Sequence, residues 1–201
     1  MKERVVNALP NHNVFNPQTQ PVYTSNTNTY QSPGIITPPE SDAGNVGRLF
    51  NSGTTNSTTL GVLGGSVIVT VQLSNPVGSG RTLYVSKLSG GITVSLSLLS
   101  SFSGSMVLSA NGTLASPSTL PSVNSNLSST NTSVAIVRFS TAAPTGATTL
   151  MTMPLQAGPF SSSAYGSYVV PPGQAINLTV NGSLSVAGLL ASTAYFAWWE
   201  V

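Results

Sequence analysis

From about Gly47 onward, apolar and polar residues alternate in short runs broken by turn residues. Ser66–Leu73 is rich in β-branched residues. Arg81–Leu88 and Ile92–Leu98 alternate with period two, as strands with one buried face should. Met106–Leu108, Val134–Phe139, Tyr168–Val170 and Ala175–Val180 are shorter apolar runs, Thr148–Leu155 is a weaker one, and Ala194–Trp199 closes the chain. Between them, Asn75–Gly80, Asn111–Gly112, Pro171–Gly173 and Asn181–Gly182 read as turns, the last leading into Ser183–Leu190. Gly90–Gly91 reads as a strand break, and the Ser/Asn/Thr-rich stretch Ser116–Ser133 as a long surface loop. About eight to ten short strands at this spacing, with no helix, predict an all-β protein. A jelly-roll-type β-sandwich fits best and an immunoglobulin-like sandwich is the alternative. No fixed-period repeat is present, which excludes a solenoid.

Residues 1–45 follow a different pattern, and the sandwich is expected to occupy 46–201. The first segment holds Pro10, Pro17, Pro21, Pro33, Pro38 and Pro39 among many Asn, Gln and Thr. Proline at this density blocks helix and removes ladder donors, so the segment is expected to be extended and unfolded on its own. Apolar residues nevertheless recur: Val5, Val6, Leu9, Val14, Phe15, Val22, Tyr23, Tyr30, Ile35 and Ile36. Two readings stand: a disordered tail, or an arm that adds a strand to a sheet edge of a neighbouring subunit.

Composition narrows the chemistry. Charged residues make up 5% of the chain, against ~25% in typical domains. Between Ala43 and Trp199 there is no Asp, Glu, His or Cys. General acid–base catalysis, activated nucleophiles, and calcium, magnesium or zinc sites all draw on those residues. No enzyme, cofactor or metal site is expected. The isoelectric point of about 9.2 rests on six scattered cations, not a patch, so nucleic acid is not an expected partner. No run approaches the ~20 apolar residues of a membrane helix. Val5–Pro10 gives no apolar core for a signal peptide, so a leaderless protein is expected. A surface of hydroxyls and amides fits either an uncharged soluble protein or one covered by copies of itself.

Few residues invite individual roles. His12 has no partner within sequence reach. Glu40 and Asp42 lie just before the sandwich, where a solvated hinge, a metal or an ion pair with Arg48 are the options. Glu200 can pair with a cation. Arg81 and Lys87 share a face if their strand is regular, and would face either solvent or acids from another copy's arm. In Tyr195–Trp199, alternation sends one set of aromatics to the core and the other outward, so Trp198 and Trp199 are candidates for a partner surface or a sugar platform. The six Asn-x-Ser/Thr sequons are those expected by chance in such a composition.

An extended N-terminal connector before a charge-poor, Ser/Thr/Asn/Gly-rich jelly roll resembles the endospore-appendage (Ena-type) fibre subunits of bacteria. The stretch NPVGSGRTLYVSKLSGG (Asn75–Gly91) is similar to the second-strand region of small β-proteins in spore-forming bacteria. The resemblance implies a connector that completes the sheet of a preceding subunit, and a fibre of stacked copies. From the residues themselves, arm contacts are expected through Val5, Val6, Leu9, Val14, Phe15, Val22, Tyr23, Ile35 and Ile36, and body contacts through Arg81, Lys87, Trp198 and Trp199. The best-known members cross-link connector to body through cysteines, and this chain has none. The expected partners are further copies of the chain and an anchoring protein on the spore or cell surface, without membrane insertion. The expected location is a spore-surface or extracellular filament. The alternative is a virion decoration, tail or lectin-like binding module with a β-sandwich head.

Overall fold

The computed structural model describes residues 39–96 and 101–201. A short helix, α1 (Pro39–Asn45), precedes eleven strands. They are β1 (Leu49–Leu60), β2 (Gly65–Ser74), β3 (Leu83–Leu96), β4 (Phe102–Ala110), β5 (Ser118–Leu120) and β6 (Val123–Asn124), then β7 (Ile136–Ser140), β8 (Thr148–Leu155), β9 (Gly158–Val170), β10 (Ala175–Leu184) and β11 (Gly188–Glu200). They form a five-stranded sheet, β6-β1-β11-β3-β9, and a six-stranded sheet, β5-β7-β2-β10-β4-β8. Every ladder is antiparallel, and the protein is an all-β sandwich. Without the short β5–β7 group, the strands form nested pairs: β1 with β11, β2 with β10, β3 with β9 and β4 with β8. This is one long hairpin rolled into two sheets, the jelly-roll order.

Alternation along the strands fills the space between the sheets. Val67, Val69, Val71 and Leu73 of β2, with Leu178 and Val180 of β10, meet Phe50, Leu83, Val85, Leu190, Phe196 and Trp198 of the other sheet. Each such burial is worth about 1.5–3 kcal/mol. The opposite face of the six-stranded sheet is covered too, by polar residues. Thr70, Gln72, Asn177 and Thr179 are all buried. Thr70 bonds Thr179 at 2.9 Å, and the Gln72 amide donates to Asn177 Oδ1 at 2.8 Å. Thr70 also donates to the carbonyl of Ala142 and Asn177 to that of Asn111, so the connection from β4 to β8 lies over this face. Buried amides and hydroxyls are tolerated here because they are paired.

The structure departs from the sequence reading at several places. The described residues form eleven strands, and the expected loop Ser116–Ser133 contains two of them, β5 and β6. β1 spans twelve residues that alternation does not reveal, since LFNSGTTNSTTL is mostly polar. Asn181–Gly182 does not turn; β10 continues to Leu184, paired on both sides with Ile68–Val67 and Ser105–Gly104. Gly90–Gly91 does not break β3. A Cβ on Gly90 would lie 2.1 Å from the Thr193 carbonyl oxygen, and one on Gly91 2.8 Å from that of Gly158. The glycine pair lets three strands approach where side chains would not fit. Within the segment expected to be extended, residues 39–45 form α1. Pro39 stands at the first helical position, where its missing N–H costs nothing, and Glu40 and Asp42 lie in the favourable first turn. Ser97–Leu98, the end of the Ile92–Leu98 run, lies outside the described residues.

Gly90→Val should destabilise the sandwich by about 2 kcal/mol or more, since neighbouring backbone must move. Denaturant unfolding checks this; unchanged stability would contradict the close approach.

Candidate functional site

The two sides of the sandwich are finished differently. On one side the chain seals itself. The connection from β4 to β8 is pinned at its neck by the Thr113–Thr145 bridge. Within it, β7 pairs with β2, β5 pairs with β7, and β6 pairs with β1 at Phe50 and Asn51. Residues 118–124 therefore cross from the six-stranded sheet to the five-stranded one, and Ser52 donates to the Pro121 carbonyl on the way. On the other side, β8 and β9 are edge strands, of eight and thirteen residues. Among the described residues no strand pairs with their outer edges. Neither carries a charge, for none occurs between Arg138 and Glu200.

Charge, proline and bulges are the usual guards of such edges. Pro154 and Pro159 stand close to the β8–β9 connection, at one end of the two strands. Toward the other end, Leu150 (48% exposed), Tyr165 (73%) and Val169 (51%) are open to solvent. Here a groove of about 490 Å³ lies between β8 and the end of β9, lined chiefly by Leu150, Tyr168, Val169, Pro171, Pro172 and Ile176. Beside it β9 carries a bulge, where residues between Ser163 and Tyr168 outnumber those of β3 between Lys87 and Val85. Tyr165 takes φ 49° and Gly166 φ 80°. A Cβ on Gly166 would lie 2.4 Å from the Trp199 ring, so glycine there lets β9 close over the indole.

The root of the N-terminal segment is built from polar contacts. Glu40 Oε2 accepts from Ser86 Oγ at 2.6 Å, which makes it an anchor of α1 on the five-stranded sheet and not a solvated hinge. Ala43 is buried. Below α1, three asparagines hold successive carbonyls: Asn126 donates to Asn45 O, Asn131 to Val46 O and Gly47 O, and Asn124 to Gly47 O at 2.9 Å. A hollow of about 290 Å³ remains between α1 and the sheet, beside Lys87 and Ala197.

The body residues singled out from sequence are placed differently from expectation. Trp198 is wholly buried and stacks on Phe50, with centroids 6.1 Å apart. Trp199 lies on the opposite face but is only 6% exposed, under Tyr84 at 5.6 Å and Gly166. Neither indole offers a partner surface or a sugar platform, because the chain covers both itself. Arg81 precedes β3, and the register shift between Val85 and Lys87 breaks the regular alternation that would have aligned the two cations. Lys87 is exposed, while Arg81 Nη1 donates to Glu200 Oε2 at 2.9 Å. That is the one ion pair among the described residues, and it is internal. Val5, Val6, Leu9, His12, Val14, Phe15, Val22, Tyr23, Ile35 and Ile36 lie outside the described residues.

Glu200 was the least legible of these residues. Its carboxylate is fully buried and also accepts from Ser133 Oγ at 2.5 Å, Val134 N–H at 3.1 Å and Trp198 Nε1 at 3.3 Å. It ties the last strand to the sealing connection and to the approach of β3. Its one sequence signal is that it is the only acid after Asp42. Among the described residues no three of His, Cys, Asp or Glu gather as a metal site, and no helix is long and apolar enough to cross a membrane. No family model, curated protein or solved structure matches this chain.

Glu200→Ala should cost about 3 kcal/mol, because it leaves buried donors unpaired. Arg81→Ala should cost less, since the carboxylate keeps its other donors and Arg81 is 34% exposed. Urea unfolding of both variants checks the order, and the reverse order would contradict it.

Proposed function

We propose that this protein is a structural subunit that self-assembles head-to-tail into a filament, with the N-terminal segment of one copy docking by strand addition on the next. The observation that carries this reading is the asymmetry of the sandwich: one side sealed by its own chain, the other presenting two charge-free edge strands. An exposed edge is a template for another strand, and an extended peptide supplies one. A docking segment on one face and a receptor elsewhere make a heterologous contact, which propagates unless it closes into a ring. The low charge fits a surface meant to be covered. The spore-surface or extracellular location, and an anchoring protein there, belong to this reading through the resemblance to spore-appendage fibres.

Negative-stain electron microscopy of the full chain beside a version starting at Thr37, which keeps α1 and its Ser86 contact, tests it. Filaments from the first and discrete particles from the second are expected. Discrete particles from both would overturn self-assembly and favour a β-sandwich binding module.

A further inference from the structure

We infer that the groove between β8 and β9 is the receptor for the N-terminal segment of a second copy. That segment pairs along the free edge of β9 and seats one residue of an apolar pair, Val14–Phe15, Val22–Tyr23 or Ile35–Ile36, in the groove, its neighbour pointing to the opposite face. This rests on the reading of the segment as a docking arm, and it names the place where the arm docks.

Four observations converge on this place. The groove, at about 490 Å³, is open to solvent and has room for a large apolar side chain. Its walls are leucine, isoleucine, valine, tyrosine and proline, with Ser167 and Gln174 as polar groups. Such a surface takes apolar side chains, and those two residues can bond peptide groups or the Asn, Gln and Thr side chains that flank the apolar pairs. The groove also lies at the end of the edge strands away from Pro154 and Pro159, where, past the bulge, Tyr168–Val170 of β9 pair with β3 on one side and keep an outer edge for a short ladder partner.

Charge agrees as well. Residues 5–39 contain no Asp, Glu, Lys or Arg, and neither do β8 and β9. Pairing them desolvates no charge, which is the costliest term in burying a polar chain. Reach is sufficient. The residues before Pro39, at up to ~3.3 Å each when extended, span on the order of 100 Å, enough to leave one sandwich and cross the next. The outer face of the five-stranded sheet and the sealed side offer less. The first presents mainly small hydroxyl residues such as Thr55 and Thr93, with Tyr195 and Leu189 half exposed among them, and the second ends in β5 and β6, edge strands of only three and two residues.

The cysteine-free chain makes the test clean. Donor variants Phe15→Cys, Tyr23→Cys and Ile36→Cys are each co-assembled with the receptor variant Leu150→Cys under mild oxidation. Parallel mixtures use Thr93→Cys on the outer sheet face and Leu127→Cys in the sealing connection. At least one donor should give a covalent dimer with Leu150→Cys several-fold more abundant than with either control. Leu150→Asp, at a half-exposed position that leaves folding intact, should abolish filaments. Filaments that cross-link at Thr93→Cys or Leu127→Cys, or at no receptor position, would overturn the groove while leaving the docking arm standing. Absence of both filaments and interchain cross-links would overturn both.

Discussion

β9 is an edge strand of thirteen residues: β3 pairs with Gly158–Ser163 and Tyr168–Val170 on one side, and among the described residues no strand pairs with the other side. Unpaired sheet edges must be covered, blunted or used. With no charge on β8 or β9, this chain blunts these edges only by Pro154, Pro159 and the bulge of β9. Among the described residues it covers one side with its own β4–β8 connection and leaves the other without a strand partner. The assembly reading, the groove and the role given to the N-terminal segment all follow from that division.

The sealed side depends on a small number of polar ties, not on a second hydrophobic core. Glu200 holds Ser133 and Val134 at the start of β7, Ser52 holds Pro121, and three asparagines hold the carbonyls of residues 45–47. The asparagine ties also fix the root of the N-terminal segment. A pull on that segment is therefore received by the sealing connection and β1 together. Ser, Thr and Asn suit this work because their short side chains reach backbone groups at little entropic cost. The same choice explains why the composition looks like that of a loop-rich chain while the structure is mostly strand.

Much of the core was legible in the sequence. The β-branched run of β2, the Thr148–Leu155 run of β8 and the Pro171–Gly173 turn sit where alternation and turn chemistry put them. What alternation misses is structure made by pairing. β1 is mostly Ser, Thr, Asn and Gly, and becomes a strand because β11 offers a full-length ladder. Asn181–Gly182 and Gly90–Gly91 have turn and breaker propensity, yet each lies between two paired strands, and the ladders override it. Alternation sends one of the two tryptophans to the core and its neighbour to the outer face, where the sequence alone leaves it exposed. The bulge at Tyr165–Gly166, invisible in sequence, brings β9 over the outer one. Apart from the Trp198 indole, Glu200 draws its partners from 66 to 119 residues away, so no local pattern could reveal the set. The open edges are equally a property of topology. The lack of charge between Arg138 and Glu200 is plain in the sequence, but only the strand order shows that β8 and β9 are edge strands.

The most direct test of the open side is hydrogen–deuterium exchange of the full chain under assembly conditions, compared with the version starting at Thr37. Strand addition predicts slowed exchange in β9 around Phe160–Val170 in the full chain alone, with β5–β7 unchanged between the two. Equal exchange in β9, or protection confined to the sealed side, would contradict the claim that the open edge is where copies meet.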